Sequence, residues 1–263
     1  MPHRQELAGK IIYITGGTGG IGVPLVRMLR EAGTQVELYE RERDGDLSEH
    51  LDGLCEKLRN LKPDILINMA GFNDLNYAED QDYEAILHLN LIAPMRLTQA
   101  VLPAMKARKN GQIINIGSMT ALIPLPHLTG YVAAKAGLKG FNDALRRELG
   151  GTGITVTHIV PRAVKTAMNS GVKAEVNART KVRYDDPEKI AARIFKAILE
   201  HKTEIRFGWP ERFFAFLNTN FPLIIDGGLQ KNREIGEDVL NTHKTGKEKL
   251  HETDQIFTRR TAS

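Results

Sequence analysis

Cysteine is nearly absent from this 263-residue sequence, in which Cys55 is the single copy. A lone cysteine cannot form an internal disulfide, and this fits a reducing compartment. The eight histidines do not show the HxH or HExxH spacing of a metal centre, so no dedicated metal site is expected. No run of 18 apolar residues occurs, and the first ten residues contain no apolar core of signal-peptide length. These absences predict a cytoplasmic protein.

A concentrated block of positive charge is also missing from the sequence. The 36 basic and 32 acidic residues leave a formal charge of +4, and no block of five basic residues occurs. The footprint of a nucleic-acid-binding protein is therefore absent, and no nucleic-acid partner is expected. Hydrophobic residues make up 41% of the chain, an ordinary share for a globular protein, and its length is sufficient for a large core.

Short β-branched runs alternate with segments of helical periodicity, which predicts an α/β fold with a doubly wound parallel sheet (Rossmann fold). Strands are predicted at 10–15, 35–39, 111–118, 154–161 and 203–208, and a strand followed by a turn at 64–71. Helices are predicted at 23–33, 47–61, 82–108, 130–149 and 187–200. One domain is predicted over 1–240. The polar, aperiodic stretch 241–263 is predicted to be a mobile tail.

The stretch TGGTGGIG at 15–22 joins the first predicted strand to the first predicted helix. Gly16, Gly20 and Gly22 would permit a tight turn and let the backbone approach a pyrophosphate at the helix N-terminus. A plain glycine-rich turn is the alternative. The context, directly after a strand and at the opening of a helix, favours nucleotide binding.

Tyr131 and Lys135 lie four residues apart in the helix predicted over 130–149, so they should share one face of it. Such a pair alone is more often a solvated helix face. Ser118 closes a predicted strand, where a serine alone is more often a turn former. Asn90, within the long helix predicted over 82–108, would alone be a buried amide bonded to nearby backbone.

Taken together, these motifs resemble the short-chain dehydrogenase/reductase family. The resemblance rests on TGxxxGxG, on NMAG at 68–71, on Asn90 and Ser118, and on Tyr131-x-x-x-Lys135, and it runs from about Leu7 to about Thr166. It implies hydride transfer between a nicotinamide cofactor and a secondary alcohol or ketone, in a homo-oligomer. The apolar residues in 119–130 and 163–185 favour an apolar or lipid-like substrate.

The resemblance also implies roles for single residues. Tyr131 would exchange the proton, Lys135 would favour its phenolate and hold the nicotinamide ribose, Ser118 would hydrogen-bond the substrate oxygen, and Asn90 would hold a relay water. The expected cofactor-binding residues are Gly16, Thr18, Gly20, Ile21, Gly22, Glu40, Asp46, Leu47, Asn68, Ala70, Gly71, Tyr131, Lys135, Val164 and Thr166.

The sequence departs from the family pattern in three places. Met69 stands where the family usually has a second asparagine, and Arg162 stands where it usually has a glycine. Only 28 residues separate Glu40 from Asn68. This interval predicts a shortened third-strand region and the loss of one helix.

Glu40, at the end of the second predicted strand, bears on the choice of cofactor. A carboxylate there would accept hydrogen bonds from the ribose hydroxyls of NAD and would repel the 2′-phosphate of NADP. Gly19 agrees, because NADP-using family members often carry a basic residue there. Arg41 and Arg43 argue the other way, since either could neutralise a phosphate. The balance favours NAD over NADP.

The sequence leaves open the role of segment 208–228 and the exact activity. The segment 208–228, with the sole tryptophan and four phenylalanines, is expected to cover the substrate cleft or to contact a second subunit; a membrane-touching patch is the alternative. The activity could instead be that of an NADPH-dependent 3-oxoacyl-type ketone reductase. A non-catalytic nucleotide-sensing or scaffold protein on the same fold is the rival from another class.

Overall fold

A six-stranded parallel sheet forms the centre of the structure. The structure is a computed structural model that describes residues 6–261, and of residue 209 and residues 246–261 it describes the backbone alone. The strand order is β2-β1-β3-β4-β5-β6. The strands are β1 Ile11–Thr15, β2 Gln35–Tyr39, β3 Ile65–Asn68, β4 Gly111–Ile116, β5 Ile154–Val160 and β6 Glu204–Arg206. The predicted doubly wound parallel sheet is confirmed.

Helices cover both faces of this sheet, because alternate side chains along each strand point to opposite faces and both sets are apolar. Ile12 and Ile14 pack towards one helical layer, and Tyr13 between them packs towards the other. The helices are α1 Gly22–Glu31, α2 Arg41–Asp44, α3 Leu51–Leu61, α4 Tyr83–Leu87, α5 Ala93–Arg108, α6 Thr129–Glu148, α7 Gly171–Arg179, α8 Pro187–Leu199, α9 Trp209–Asn220 and α10 Pro222–Thr261. Helices α1 and α8 form one layer, and α3 and α5 belong to the other.

The segment between β2 and β3 is short, as the sequence interval predicts. Residues 40–64 form the two helices α2 and α3 and no strand, so β2 is the edge of the described sheet, and β3 has only four residues. Helix α3 begins at Leu51 and not at 47, because Asp46 and the residues after it form a turn in which the Asp46 carboxylate accepts a hydrogen bond from the Ser48 amide (2.9 Å).

The helix predicted over 82–108 is continuous, but it contains a wider π-helical turn at His88–Ile92 between α4 and α5. Pro94 lies just beyond this turn and has no N–H to offer the carbonyl of Asn90 four residues earlier. Such turns often occur at functional sites. By length and composition Tyr83–Arg108 could cross a membrane, but 44% of its most apolar window is buried and α5 packs on α3, as expected of a core helix.

The predicted boundary at residue 240 is not a break in secondary structure, because helix α10 continues from Pro222 to Thr261. The domain bounds 1–240 stay a prediction. The stretch 241–263 contains no proline, the residue that most strongly interrupts a helix. Helix α10 packs on α7, where Arg179 pairs with Asp238 (2.7 Å). The mobility of 241–263 stays a prediction.

Candidate active site

The glycine loop after β1 is shaped to accept an anionic group. Gly16 has a φ of +74°, and a Cβ atom there would lie 2.7 Å from the Ala70 amide nitrogen, so only glycine fits. Helix α1 begins directly after the loop without a side-chain cap and without an acidic residue in its first turn. Its first N–H groups and the positive end of its dipole are thus available to a phosphate.

A cleft of about 1120 Å³ opens where β1, β3, β4 and β5 end, at the edge of the sheet where doubly wound folds bind their ligands. The strand ends are in register here, since Thr15 pairs with Asn68 and Asn68 with Asn115. The predicted cofactor residues that line the cleft are Gly16, Gly20, Ile21, Gly22, Ala70, Gly71, Tyr131, Lys135, Val164 and Thr166.

Five other predicted cofactor residues lie outside the lining of this cleft: Thr18, Glu40, Asp46, Leu47 and Asn68. The Leu47 side chain is buried in the core under α3, because it packs with the apolar face of that helix. The Asn68 side chain is buried as well and donates a hydrogen bond to Asn115 Oδ1 (2.8 Å), so it braces two strands. The cofactor contacts of these two residues stay predictions.

Tyr131 and Lys135 lie one turn apart in α6, and both are almost fully buried. Lys135 Nζ is 5.6 Å from the centroid of the Tyr131 ring and donates a hydrogen bond to the carbonyl oxygen of Ile116 at the end of β4 (3.0 Å). The ammonium group is thereby directed to the mouth of the sheet. The helix thus places a phenol and an ammonium side by side at the cleft.

Burial shifts the two groups in opposite directions. Removal from water disfavours the charged form, which raises the pKa of Tyr131 to about 12 and lowers the pKa of Lys135 to about 8. A hydrogen bond from Ser118 acts against the rise in the Tyr131 pKa. At neutral pH the phenol is therefore a proton donor.

Ser118 follows β4 and caps the short helical turn Met119–Ala121. Its Oγ accepts hydrogen bonds from the Thr120 hydroxyl (2.8 Å) and from the Thr120 amide (3.2 Å). With its lone pairs used in this way, the serine hydroxyl has its own proton to donate. Thr120 also lines the cleft, and the sequence analysis did not identify it because a single threonine in a loop carries no pattern.

Asn90 is fully buried in the π-helical turn, behind the cleft. Its amide nitrogen donates to the carbonyls of Phe72 (2.9 Å) and Ile86 (3.0 Å), while its Oδ1 has no partner among the described residues. A Cβ atom on Gly71 would lie 2.5 Å from this Oδ1 and 3.6 Å from Lys135 Nζ, so the oxygen and the ammonium face the same small space. A buried acceptor without a partner is the kind of atom that holds an ordered water.

Arg162, in place of the family glycine, forms an ion cluster. Its guanidinium donates to both carboxylate oxygens of Asp185, one of them at 3.0 Å, and to Glu211 Oε1 at 2.8 Å. These contacts connect the loop after β5 to α9 and raise the pKa of the arginine above its ordinary value. The same loop carries Val164 and Thr166 into the cleft.

The segment 208–228, predicted to cover the substrate cleft, contacts the cleft with part of its length. Glu211 and Phe214 line the cleft, and the Asn218 amide donates to the Leu122 carbonyl (3.1 Å). Phe213 and Phe216 are exposed to 56% and 59%, so this side of α9 is uncovered in a single chain.

In the loop before α6, His127 lines the cleft and its ring meets that of Tyr77 edge to face.

Lys173 is a further residue that the sequence analysis did not identify. It lies in α7, lines the cleft, and places its Nζ 5.6 Å from the centroid of the Tyr131 ring. The residue is 42 positions after Tyr131, and no local motif indicates its position.

Comparisons with known proteins agree with this geometry. The profile of the short chain dehydrogenase family matches residues 46–177. The 3-oxoacyl-[acyl-carrier-protein] reductase FabG of Vibrio cholerae is 30% identical over 219 residues, which cover 72% of this chain and 90% of that protein.

Two solved structures show the same fold. A short chain dehydrogenase of Burkholderia cenocepacia in complex with NADP superimposes with a TM-score of 0.73 at 20% identity, over 85% of this chain and 99% of the other. The 3-ketoacyl-(acyl-carrier-protein) reductase of Brucella melitensis complexed with NADH gives 0.64 at 24% identity, over 73% and 91%.

Proposed function

The chain belongs to the short-chain dehydrogenase/reductase family and is a nicotinamide-dependent oxidoreductase, and we propose that Ser118, Tyr131 and Lys135 perform its proton transfer on a secondary alcohol or ketone. The observation that carries this proposal is their convergence. A hydroxyl with a free proton, a buried phenol and a buried ammonium meet in the cleft that the glycine loop enters.

The cofactor fits the residues present, because the glycine loop and the uncapped α1 N-terminus would hold its pyrophosphate, and Val164 and Thr166 would face its nicotinamide. When bound, the nicotinamide supplies the hydride to the carbonyl carbon or removes it from the alcohol carbon.

In the reducing direction Tyr131 gives its proton to the carbonyl oxygen, while Ser118 donates a hydrogen bond to the same oxygen. The positive charge of Lys135 stabilises the phenolate that remains. A water at Asn90 Oδ1 passes a proton through Lys135 to restore the phenol. Oxidation of the alcohol follows the same path in reverse, with Tyr131 as the base.

The substrate is proposed to carry an apolar portion, since Leu125, Met168, Val172 and Phe214 line the same cleft as Tyr131. A 3-oxoacyl-type ketone reductase is the second candidate, and the relationship to the Vibrio cholerae enzyme supports it.

NAD is the proposed cofactor in preference to NADP. The competing arginines already have partners: Arg43 bonds the Asp44 carboxylate and the Leu38 carbonyl (2.8 Å), and Arg41, whose side chain is 83% exposed, pairs with Asp46 (3.1 Å). Among the residues that the structure describes, the carboxylate of Glu40, directly after β2, has one ion-pair partner, Arg43, at a longer distance of 3.5 Å. We therefore expect the Glu40 carboxylate at the strand end to bind the ribose hydroxyls of NAD, in preference to a contact of Arg41 or Arg43 with the 2′-phosphate of NADP.

The test is turnover of a panel of secondary alcohols and ketones with NAD(H) and with NADP(H), compared as kcat/KM. We expect turnover, and a preference for NAD that Glu40→Ala reduces while Glu42→Ala, on the exposed side of α2, does not. A tenfold preference for NADP, equivalent to about 1.4 kcal/mol, would refute the cofactor assignment. Cofactor binding without turnover across the panel would favour the sensor or scaffold alternative.

A cytoplasmic location and a homo-oligomeric state stay predictions from the sequence, as does the absence of a nucleic-acid partner. Cell fractionation and sedimentation of the purified protein measure the first two. Recovery in the membrane fraction, abolished by Phe216→Ala, would support the membrane-touching alternative for 208–228.

A further inference from the structure

Lys173 reaches the reacting end of the cleft from a different element than Lys135 does. Its Nζ lies 5.6 Å from the centroid of the Tyr131 ring, the same distance as Lys135 Nζ. Lys135 donates to a backbone carbonyl, whereas Lys173 forms no ion pair with any carboxylate in the described part of the chain. Two ammonium groups therefore flank one catalytic phenol, neither pairs with a carboxylate among the described residues, and only Lys135 donates to a carbonyl.

The wall that carries Lys173 is positive along its length. Lys181 and Arg183 line the same cleft after α7, and neither forms an ion pair among the residues that the structure describes. Of the two carboxylates in the lining, Glu211 pairs with Arg162, and Asp74 forms no ion pair with any of these three basic side chains in the described residues. The substrate end of the cleft thus offers cations without matching anions.

An isolated ammonium in an apolar cleft is unfavourable, and an anionic ligand group that pairs with it removes that penalty. Burial lowers the pKa of Lys173 to about 8, which is the signature of such a group without a partner. The cation–π contact with Tyr131 is the interaction available to it in the absence of an anion.

We infer that Lys173 binds a carboxylate of the substrate, so that the substrate class is a hydroxy acid or oxo acid with an apolar remainder. The carboxylate must lie close to the reacting carbon, because the ammonium contacts the ring whose hydroxyl handles the reacting oxygen. The apolar remainder would extend along Leu125, Met168 and Phe214. This inference rests on the proposed function and narrows its substrate.

The test compares an acid with its uncharged ester on the full-length, cofactor-saturated protein. The probes are 3-hydroxyoctanoate and methyl 3-hydroxyoctanoate, which share the reacting centre and the chain. The variants are Lys173→Met, which removes the charge; Lys173→Arg, which keeps it; and Lys189→Met, an exposed lysine of α8, as the control for net charge.

We expect the wild type to prefer the acid, and Lys173→Met to reduce kcat/KM for the acid by about 10- to 100-fold, the value of a hydrogen bond to a charged group. The ester should change by less than about threefold, and Lys173→Arg should retain most of the preference. Binding of the acid, measured by calorimetry with the oxidised cofactor present, should weaken in parallel.

Equal losses for acid and ester would overturn the inference, because Lys173 would then act on Tyr131 or on the fold. So would a wild type that turns over neutral ketones but neither binds nor oxidises the acid, and in that case the proposed function stands. If no alcohol or ketone is turned over, the proposed function fails, and the calorimetric comparison of wild type with Lys173→Met still decides whether the carboxylate site exists.

Discussion

Replacement of Tyr131 by phenylalanine separates the chemistry of this residue from its packing. The ring belongs to a small buried cluster with Ile86, Leu128 and Ala134, and phenylalanine preserves those contacts. Only the hydroxyl and its interaction with Ser118 are lost. One lost hydrogen bond is worth about 1 kcal/mol, which corresponds to a change of roughly 2–4 °C in Tm for a chain of this size.

The expected effect on turnover is much larger. Loss of the general acid lowers kcat by about 10²- to 10⁴-fold, or roughly 3–5 kcal/mol in the activation barrier. The assays are steady-state kcat with the best substrate of the panel, Tm by calorimetry, and the cofactor Kd, which should stay within about twofold of the wild type.

Tyr83→Phe is the matched control. Its hydroxyl bonds Thr129 Oγ1 (2.9 Å) beside the start of the same helix, it is 41% exposed, and it does not line the cleft. Both variants should show similar Tm values, and only Tyr131→Phe should lose turnover. Wild-type kcat in Tyr131→Phe would remove this residue from the mechanism. A loss of Tm well beyond 4 °C would mean that the packing argument is wrong.

Three further predictions follow from the site. Lys135→Met should reduce both turnover and cofactor affinity. In the wild type, the pKa of Lys135 is about 8 in the folded state and 10.5 ordinarily, so the unfolded state binds more protons between pH 8 and 10 and the free energy of unfolding should rise with pH in that range. Urea unfolding should show a smaller rise for Lys135→Met. Arg162→Gly restores the family residue but leaves the partly buried carboxylates of Asp185 and Glu211 unpaired, so the free energy of unfolding should fall by about 1–3 kcal/mol in denaturant titrations. Arg162→Lys should lose less. Unchanged stability of Arg162→Gly would mean that the ion cluster does not stabilise the fold. Phe214→Ala should raise the substrate KM and leave the cofactor Kd unchanged, whereas Phe216→Ala, which is exposed and outside the cleft, should alter neither; equal effects of the two would refute the assignment of Phe214 to the cleft.

Some of the site could be predicted because its signals are local. Tyr131 and Lys135 share a helix face by their spacing alone, and Gly16 follows directly from a strand that must turn. The surroundings of other residues could not be predicted, for an equally physical reason. Asn68 and Leu47 stand at positions that the family motif assigns to the cofactor, but their side chains find partners in the sheet and the core.

The alternation of strands and helices, the glycine loop and the shared helix face of Tyr131 and Lys135 could be predicted from the sequence, since each depends on residues within a turn or a strand of one another. The link from Ser118 to this pair came from the family resemblance. The fold, and no local pattern, brings Arg162 to its partners 23 and 49 positions away and places Lys173 over the Tyr131 ring. Contacts at such separations have no periodicity to read, because they arise from how whole elements pack and from which charges remain without partners when they do.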